Sequence, residues 1–238
     1  MLATALAKEE IFPEDARFSS EIKKRIYTLL SELEGGVGGF DFARVLGACL
    51  LAEANGDEEL RGACLRWLRG EFSTKSEARA ALGFPVGGII DDGNWYNYIK
   101  LWAVFSQKVG YHGLLVLIDE CVDLYKISNR IARESNYEKL LAIFNDALEG
   151  RAPGLCFFFG GTPQFLEDTR RGLFSYEALR SRLVDSRFAE GGYTTYSSPV
   201  IRLRRLSDNE FLALSTRLCR LHAELYGGDP RLTPEECE

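Results

Sequence analysis

Histidine is nearly missing from this chain: only His112 and His222 occur. A multi-histidine metal site therefore cannot be built, and a Ser-His-Asp or Cys-His triad would have to recruit one of these two residues. Neither lies in a nucleophile-elbow context, which argues against hydrolase chemistry of that kind. Cysteine occurs at Cys49, Cys64, Cys121, Cys156, Cys219 and Cys237, but no CxxC pair exists. Scattered among Leu, Ala and Phe, these residues argue against a disulfide scaffold or a zinc site and read as buried free thiols. Long apolar runs are missing as well. Leu114–Ile118 soon reaches acids, whereas a membrane span needs about 20 apolar residues. The first residues, Met1-Leu-Ala-Thr-Ala-Leu-Ala7, lack a basic leader segment, and Glu9 and Glu10 follow at once. The expectation is a cytoplasmic protein with no membrane partner.

An excess of positive charge is also absent. A net charge of -6 argues against whole-surface binding to nucleic acid or to an anionic membrane, and leaves only a local basic patch open. What is present is ordinary globular usage. The 238 residues, 46% hydrophobic and 27% charged, suit one large domain or one domain plus a fragment of a second.

The first third reads as helices. Ser19-Ser20 is placed to cap a helix from Glu21 to Leu33, with Ile22, Ile26, Leu29, Leu30 and Leu33 at helical spacing and Gly35-Gly36 as the stop. Asp41 is placed to cap a second helix through Val45, Leu46, Leu50 and Leu51, ending near Asn55-Gly56. Asp57 opens a third, and a shorter one runs from Thr74 to Leu82 before Gly83. These apolar stripes are most simply core. After Pro85 the pattern changes. An aromatic-rich helix, Trp95 to Val109, precedes Leu114-Leu-Val-Leu-Ile118, a continuous apolar run of the kind buried on both faces of a parallel sheet. A long helix from about Asn129 to Leu148 follows, then a second such run, Leu155-Cys-Phe-Phe-Phe159. Thr162-Pro163 starts a short helix, Ser175 caps another through Leu179 and Leu183, and Val200-Ile-Arg-Leu203 is a third strand-like run.

Strands alternating with helices of these lengths imply parallel β-α units, hence an α/β fold. The organisation expected is a helical segment over 1–90, an α/β core portion over 91–206, and from 207 to 238 the start of a helical lid. That lid opens with the capping box Ser207-x-x-Glu210. Leu232-Thr-Pro234 then gives a fresh helix-start signal that is cut off within a turn, as in a piece of a longer protein.

The sharpest chemical feature is Leu114-Leu-Val-Leu-Ile-Asp-Glu120. An apolar strand ending in Asp-Glu is the form of a Walker B strand, and the carboxyl edge of an α/β sheet is where ligands bind. Asp119 would orient Mg²⁺ through its water shell, because this ion takes oxygen ligands and keeps several waters. Glu120 would polarise the water attacking a γ-phosphate. A strand that merely exits to solvent through two acids fits the same letters. Spacing favours the first reading, because a second apolar strand follows and ends in Gly160-Gly-Thr-Pro-Gln164. In P-loop ATPases of the AAA+ type, the strand beside Walker B ends in a small polar residue that touches the γ-phosphate or the attacking water. Thr162 is the first candidate for that contact and Gln164 the second. Thr162 as a helix cap with Pro163 behind it explains the same residues structurally, and both can hold together.

From Arg170 to Arg205 arginine recurs eight times with no lysine, against three acids, Glu177, Asp185 and Glu190. Arginine suits a bidentate grip on phosphate oxygens, so Arg180 or Arg182 could be a nucleotide sensor or an arginine finger, in cis or across a subunit interface. A solvated basic face or a nucleic-acid patch are the alternatives. One absence weighs against all of this: no G-x-x-x-x-G-K-[ST] occurs anywhere. Glu34-Gly-Gly-Val-Gly-Gly-Phe40 and Gly83-Phe-Pro-Val-Gly-Gly88 supply glycines without the lysine or the preceding strand. Either the phosphate loop lies upstream, or the fold is a degenerate one.

Several segments together resemble one family. They are Trp67-Leu-Arg-Gly-Glu71 with Thr74-Lys75, Gly110-Tyr-His-Gly-Leu-Leu-Val-Leu-Ile-Asp-Glu120, Arg133-Glu-Ser-Asn-Tyr-Glu138, Gly160-Gly-Thr-Pro163 and Arg171-Gly-Leu-Phe-Ser-Tyr-Glu-Ala-Leu-Arg-Ser-Arg-Leu183. From Trp67 to Leu206 the chain is similar to the ATP-binding proteins of the BREX bacteriophage-exclusion systems, the BrxC/BrxD-type P-loop proteins. The resemblance implies an AAA+-like ATPase of bacterial phage defence, with the phosphate loop in an N-terminal part and other BREX-type defence proteins as partners. Because the loop is missing here, it implies a C-terminal portion, in which ATP and Mg²⁺ are expected only together with an upstream Walker A segment. A non-catalytic module with an ATPase-like fold, binding partner proteins or DNA through residues such as Arg202, Arg204 and Arg205, is the competing reading. A homo-oligomer is open to either.

Overall fold

The computed structural model describes residues 17–184, 198–203 and 205–227. The chain divides into two compact units, with the boundary between Tyr176 and Glu177. The first opens with a helical layer: α1 (Phe18–Ser31), α2 (Gly39–Asn55), α3 (Glu58–Leu68) and α4 (Lys75–Leu82). Their apolar stripes converge on one core in which Phe42, Val45, Cys64 and Trp67 are completely shielded. Each stop is written locally. Gly56 and Gly83 take left-handed backbone at the ends of α2 and α4, a conformation in which glycine carries no Cβ penalty. Each start is local too for α3 and α4, where Asp57 and Thr74 accept hydrogen bonds from Leu60 N–H and Glu77 N–H.

Two expected caps are not used. The first helix starts at Phe18 with Arg17 at its cap position, and the Ser20 hydroxyl donates to the Arg17 carbonyl instead. Asp41 lies inside the first turn of α2, and its carboxylate accepts from Gly87 N–H at 3.0 Å and Gly88 N–H at 2.9 Å. Two charge-assisted bonds to a distant loop outweigh the single bond that a local cap would give. The same loop is held from the other side by Trp67, whose indole N–H donates to the Gly88 carbonyl. The second glycine-rich stretch, at Gly38, is the turn into α2. A Cβ there would meet the Tyr98 ring at 2.9 Å, on a backbone already at φ +74.

α5 (Trp95–Lys108) joins the helical layer to the sheet. Tyr98 and Leu101 sit in the helical core, where Tyr98 meets Trp67 edge to face at 5.5 Å and Trp102 meets Phe42 at 5.1 Å. Tyr96 turns the other way, onto Phe157 of the sheet. Lys100 also leaves the helical core, pairing with the buried Asp146 at 3.1 Å. The sheet has two parallel strands, β1 (Leu114–Ile118) and β2 (Leu155–Phe159), with Leu114 opposite Leu155 and Ile118 opposite Phe159. Between them run the short α6 (Val122–Lys126) and the long α7 (Arg130–Leu148), capped by Asn129. After β2 come α8 (Pro163–Glu167) and a 3₁₀ turn at Leu173–Ser175. The fold is mostly helical with this small parallel sheet, which keeps it in the α/β class.

The strands are where expected, but not buried on both faces. Leu115 is 54% and Leu117 71% exposed, and Cys156 and Phe158 of β2 are exposed too. With two strands among the described residues, helices cover one face and the alternate side chains of the other meet water. For the same reason the free thiols are not uniformly buried: Cys49, Cys64 and Cys121 are, Cys156 is exposed, Cys219 is half-buried, and Cys237 lies outside the described residues.

The second unit contains α9 (Glu177–Leu183) and α10 (Asp208–Tyr226). Ser175 does not cap α9; its hydroxyl donates back to the Gly172 carbonyl. Ser207 does build a full capping box with Glu210, and Gly227 closes α10 in left-handed backbone. Val200–Leu203 is not a strand. Among the described residues no strand pairs with it, and Leu203 is 91% exposed. Arg204 and the helix start at Thr233-Pro234 lie outside the described residues. Among the described residues, no helix is long and apolar enough to cross a membrane.

Candidate functional site at the carboxyl edge of the sheet

The two strands stay tied for a step beyond their ends. Gly160 N–H donates to the Ile118 carbonyl at 2.8 Å, and Cys121 N–H donates to the Gly160 carbonyl at 2.9 Å. Asp119 and Glu120 lie between those two bonds, both exposed at the carboxyl edge. The exposed Asp119 carboxylate accepts through Oδ1 from the N–H of Glu120 at 2.8 Å. Glu120 has φ +52 and is the one non-glycine residue with positive φ among those described. Such backbone costs about 1 kcal/mol or more for a residue with a Cβ and persists only where the surroundings impose it. Here they do: Gly160 ties Ile118 and Cys121, on either side of the Asp119-Glu120 pair, by backbone hydrogen bonds. Cys121 anchors the turn from beneath: its buried thiol donates to the Ile118 carbonyl, and burial pushes its pKa up.

Gly160 and Gly161 supply close approach rather than a phosphate cradle. A Cβ on Gly160 would fall on Asp119 Oδ1, and one on Gly161 would come within 2.7 Å of the Phe165 ring. Thr162 then caps α8, its hydroxyl accepting from Phe165 N–H at 3.2 Å with Pro163 at the first helical position. Thr162 and Gln164 are exposed and follow the carboxyl end of β2, next to the strand that ends in Asp119 and Glu120. The structure thus brings four of the expected site residues to one edge of one sheet.

A polar network that the sequence does not announce fastens the two halves of this edge. The Tyr125 hydroxyl on α6 donates to Asp168 Oδ2 at 2.8 Å and accepts from the Gln164 amide at 3.0 Å. Asp168 Oδ1 accepts from the N–H groups of Arg170 and Arg171. Those backbone bonds and the one from Tyr125 hold the Asp168 carboxyl below its ordinary range, while the bond to Asp168 pushes the Tyr125 phenol up. The Arg171 guanidinium crosses to the carbonyls of Tyr125 at 3.1 Å and Ile127 at 3.2 Å, where α6 ends with orphan acceptors. Buried Arg133 reaches the same Ile127 carbonyl, and the buried Tyr137 hydroxyl donates to the Arg171 carbonyl at 2.6 Å. No spacing rule marks these residues. Arg133, Tyr137 and Arg171 lie in segments that carry the family resemblance, Tyr125 and Asp168 do not, and the Arg171 guanidinium also lies 5.3 Å from the centre of the Tyr125 ring.

Arg180 and Arg182 belong to the second unit. Arg180 lies 3.9 Å from Glu177, one turn away, and Arg182 donates to the Ala178 carbonyl at 2.7 Å. The amides of Gly87 and Gly88, which a phosphate could have claimed, are taken by the chain's own Asp41.

No curated protein and no solved structure matches this chain. A family model does: the one described as BREX system ATP-binding protein BrxC/D, over residues 1–238. With its whole length matched, the chain belongs to the family of BREX system ATP-binding proteins BrxC/D.

Proposed function

We propose that this chain carries the hydrolytic edge of a P-loop, AAA+-like ATPase that couples ATP turnover to conformational change in a BREX antiphage-defence assembly. The observation that carries the reading is the pairing of β1 with β2, which sets Asp119 and Glu120 beside Thr162 and Gln164 at one carboxyl edge. On that reading Glu120 is the general base. Its exposed carboxylate accepts the proton of the attacking water. Thr162 and Gln164 contact the γ-phosphate or that water. A hydroxyl that accepts from Phe165 N–H still has its own proton to donate. Arg180 or Arg182 of α9 is the candidate nucleotide sensor or arginine finger, in cis or across a subunit interface.

Magnesium fits this donor set in one way. Among the described residues no group of three or more His, Cys, Asp or Glu could hold a metal ion directly. A single carboxylate acting through water, with phosphate oxygens as the remaining ligands, is how Mg²⁺ is usually held. Asp119 would be that carboxylate. When bound, the ion supplies charge neutralisation at the phosphates.

The phosphate loop would come from a segment outside 1–238, since no such motif lies within it. Calorimetric titration of Mg²⁺-ATP into this chain and into an upstream-extended version tests that: binding by the extended version alone supports it. Glu120→Gln in the intact protein tests the chemistry, and unchanged steady-state turnover would remove Glu120 from its role. The second reading, a non-catalytic module for partner proteins or DNA, draws on the exposed apolar side chains Leu115, Leu117 and Phe158. Salt-sensitive DNA binding lost on charge reversal of Arg202, Arg204 and Arg205 would favour it.

A further inference from the structure

The network across α6 and α8 has a direction. A phenol has one proton, and Tyr125 gives it to Asp168 Oδ2, so toward Gln164 the same oxygen can only accept. Gln164 must therefore turn its amide nitrogen inward to Tyr125. Because the amide is planar, its carbonyl oxygen then points the other way. Asp168 cannot drift, since Arg170 N–H at 2.7 Å and Arg171 N–H at 3.2 Å hold its other oxygen. Tyr125 cannot drift either, since Arg171 fastens the carbonyl end of its helix and covers its ring. Without this arrangement an exposed glutamine on a one-turn helix would sample several rotamers.

We propose that Tyr125, oriented by Asp168, is a positioning residue that fixes the Gln164 amide at the carboxyl edge of the sheet for nucleotide turnover. This rests on the reading that Gln164 faces the γ-phosphate or the attacking water. Tyr125 follows Glu120 by one turn of chain on the β1 side, whereas Gln164 belongs to the β2 side. The hydroxyl bond thus sets the base and the glutamine relative to each other more finely than strand register does. Orientation of this kind acts on the chemical step and little on nucleotide affinity.

The test is a double-mutant cycle in the intact protein with Tyr125→Phe and Gln164→Ala, both conservative at positions where the ring packing or the exposed helix is kept. The expected result is a fall in kcat of roughly ten- to hundredfold for each single variant, with KM for ATP within about twofold of wild type. The double variant should be no slower than Gln164→Ala. Independently of activity, the Gln164 side-chain NH₂ protons should exchange slowly in the nucleotide-free protein and fast in Tyr125→Phe. Multiplying effects in the double variant, or equal exchange in both proteins, would overturn the proposal and leave the Glu120 assignment standing. An intact wild type with no turnover, or turnover untouched by Glu120→Gln, would bring down the underlying reading and this inference with it.

Discussion

A Cβ added to Gly160 would stand 2.5 Å from Oδ1 of Asp119. The glycine closing β2 is therefore part of the space in which the β1 carboxylate sits. Gly160→Ala should push the carboxylate off its bond with Glu120 N–H or tilt the strand ends apart. The expected loss is about 0.5–1 kcal/mol of stability, because the atom met is the end of an exposed side chain, together with most Mg²⁺-dependent ATP turnover in the intact protein. Urea denaturation and a coupled phosphate-release assay read the two effects. Wild-type stability with Gly160→Ala would mean that the edge is looser than described.

Glu120 makes an opposite prediction about glycine. Replacing a residue by glycine usually destabilises, but at φ +52 it removes a cost of about 1 kcal/mol. Glu120→Gly should therefore be more stable than Glu120→Ala by about 1 kcal/mol, and both should be inactive. Comparison of their denaturation midpoints decides it; an alanine variant as stable as the glycine one would show that the turn relaxes freely.

Asp41 holds two backbone amides of the Gly87-Gly88 loop. Hydrogen bonds to a charged group contribute about 1.5–3 kcal/mol each when lost singly. Asp41→Ala should cost about 2–4 kcal/mol, and Asp41→Asn, which keeps acceptor capacity through one oxygen, about half as much. A cost near the few tenths expected of a surface side chain would contradict the tethering role.

Thiol labelling separates the cysteines. Burial pushes Cys64 up to about 12 and raises Cys49 and Cys121 as well, so little thiolate is available at pH 8. Cys156, on the open side of β2, should react with iodoacetamide at least about tenfold faster than these three under native conditions. Peptide mass spectrometry reads the order, and protection of Cys156 would reveal that something covers that sheet face in solution.

Much of the scaffold was written in short-range signals. Leu114–Ile118 and Leu155–Phe159 are strands over the very residues that the apolar runs mark. Asp57, Thr74, Asn129, Thr162 and Ser207 cap the helices that follow them. What was not legible depends on partners distant in sequence. Asp41 has the right spacing for a cap, yet its carboxylate is claimed by a loop dozens of residues later. Val200–Leu203 has strand composition, but no strand among the described residues pairs with it. The candidate acids were visible as letters, while Tyr125 and Asp168, which help hold the edge together, lie in none of the quoted segments because tertiary hydrogen bonds leave no periodicity.

The parallel pairing of β1 with β2 also sets an order of assembly. The helices from α1 to α4 meet across short turns, so their core can condense from neighbours in sequence. The sheet cannot: Ile118 finds Phe159 only after everything from Asp119 to Gly154, α7 included, has been looped out. Closing such a span is entropically slow compared with local helix packing. Until it closes, Gly160 is not there to hold Asp119, and Gln164 is not there to meet Tyr125. On contact order alone, Asp119, Glu120, Thr162 and Gln164 should gain their shared geometry later than the helical layer gains its core.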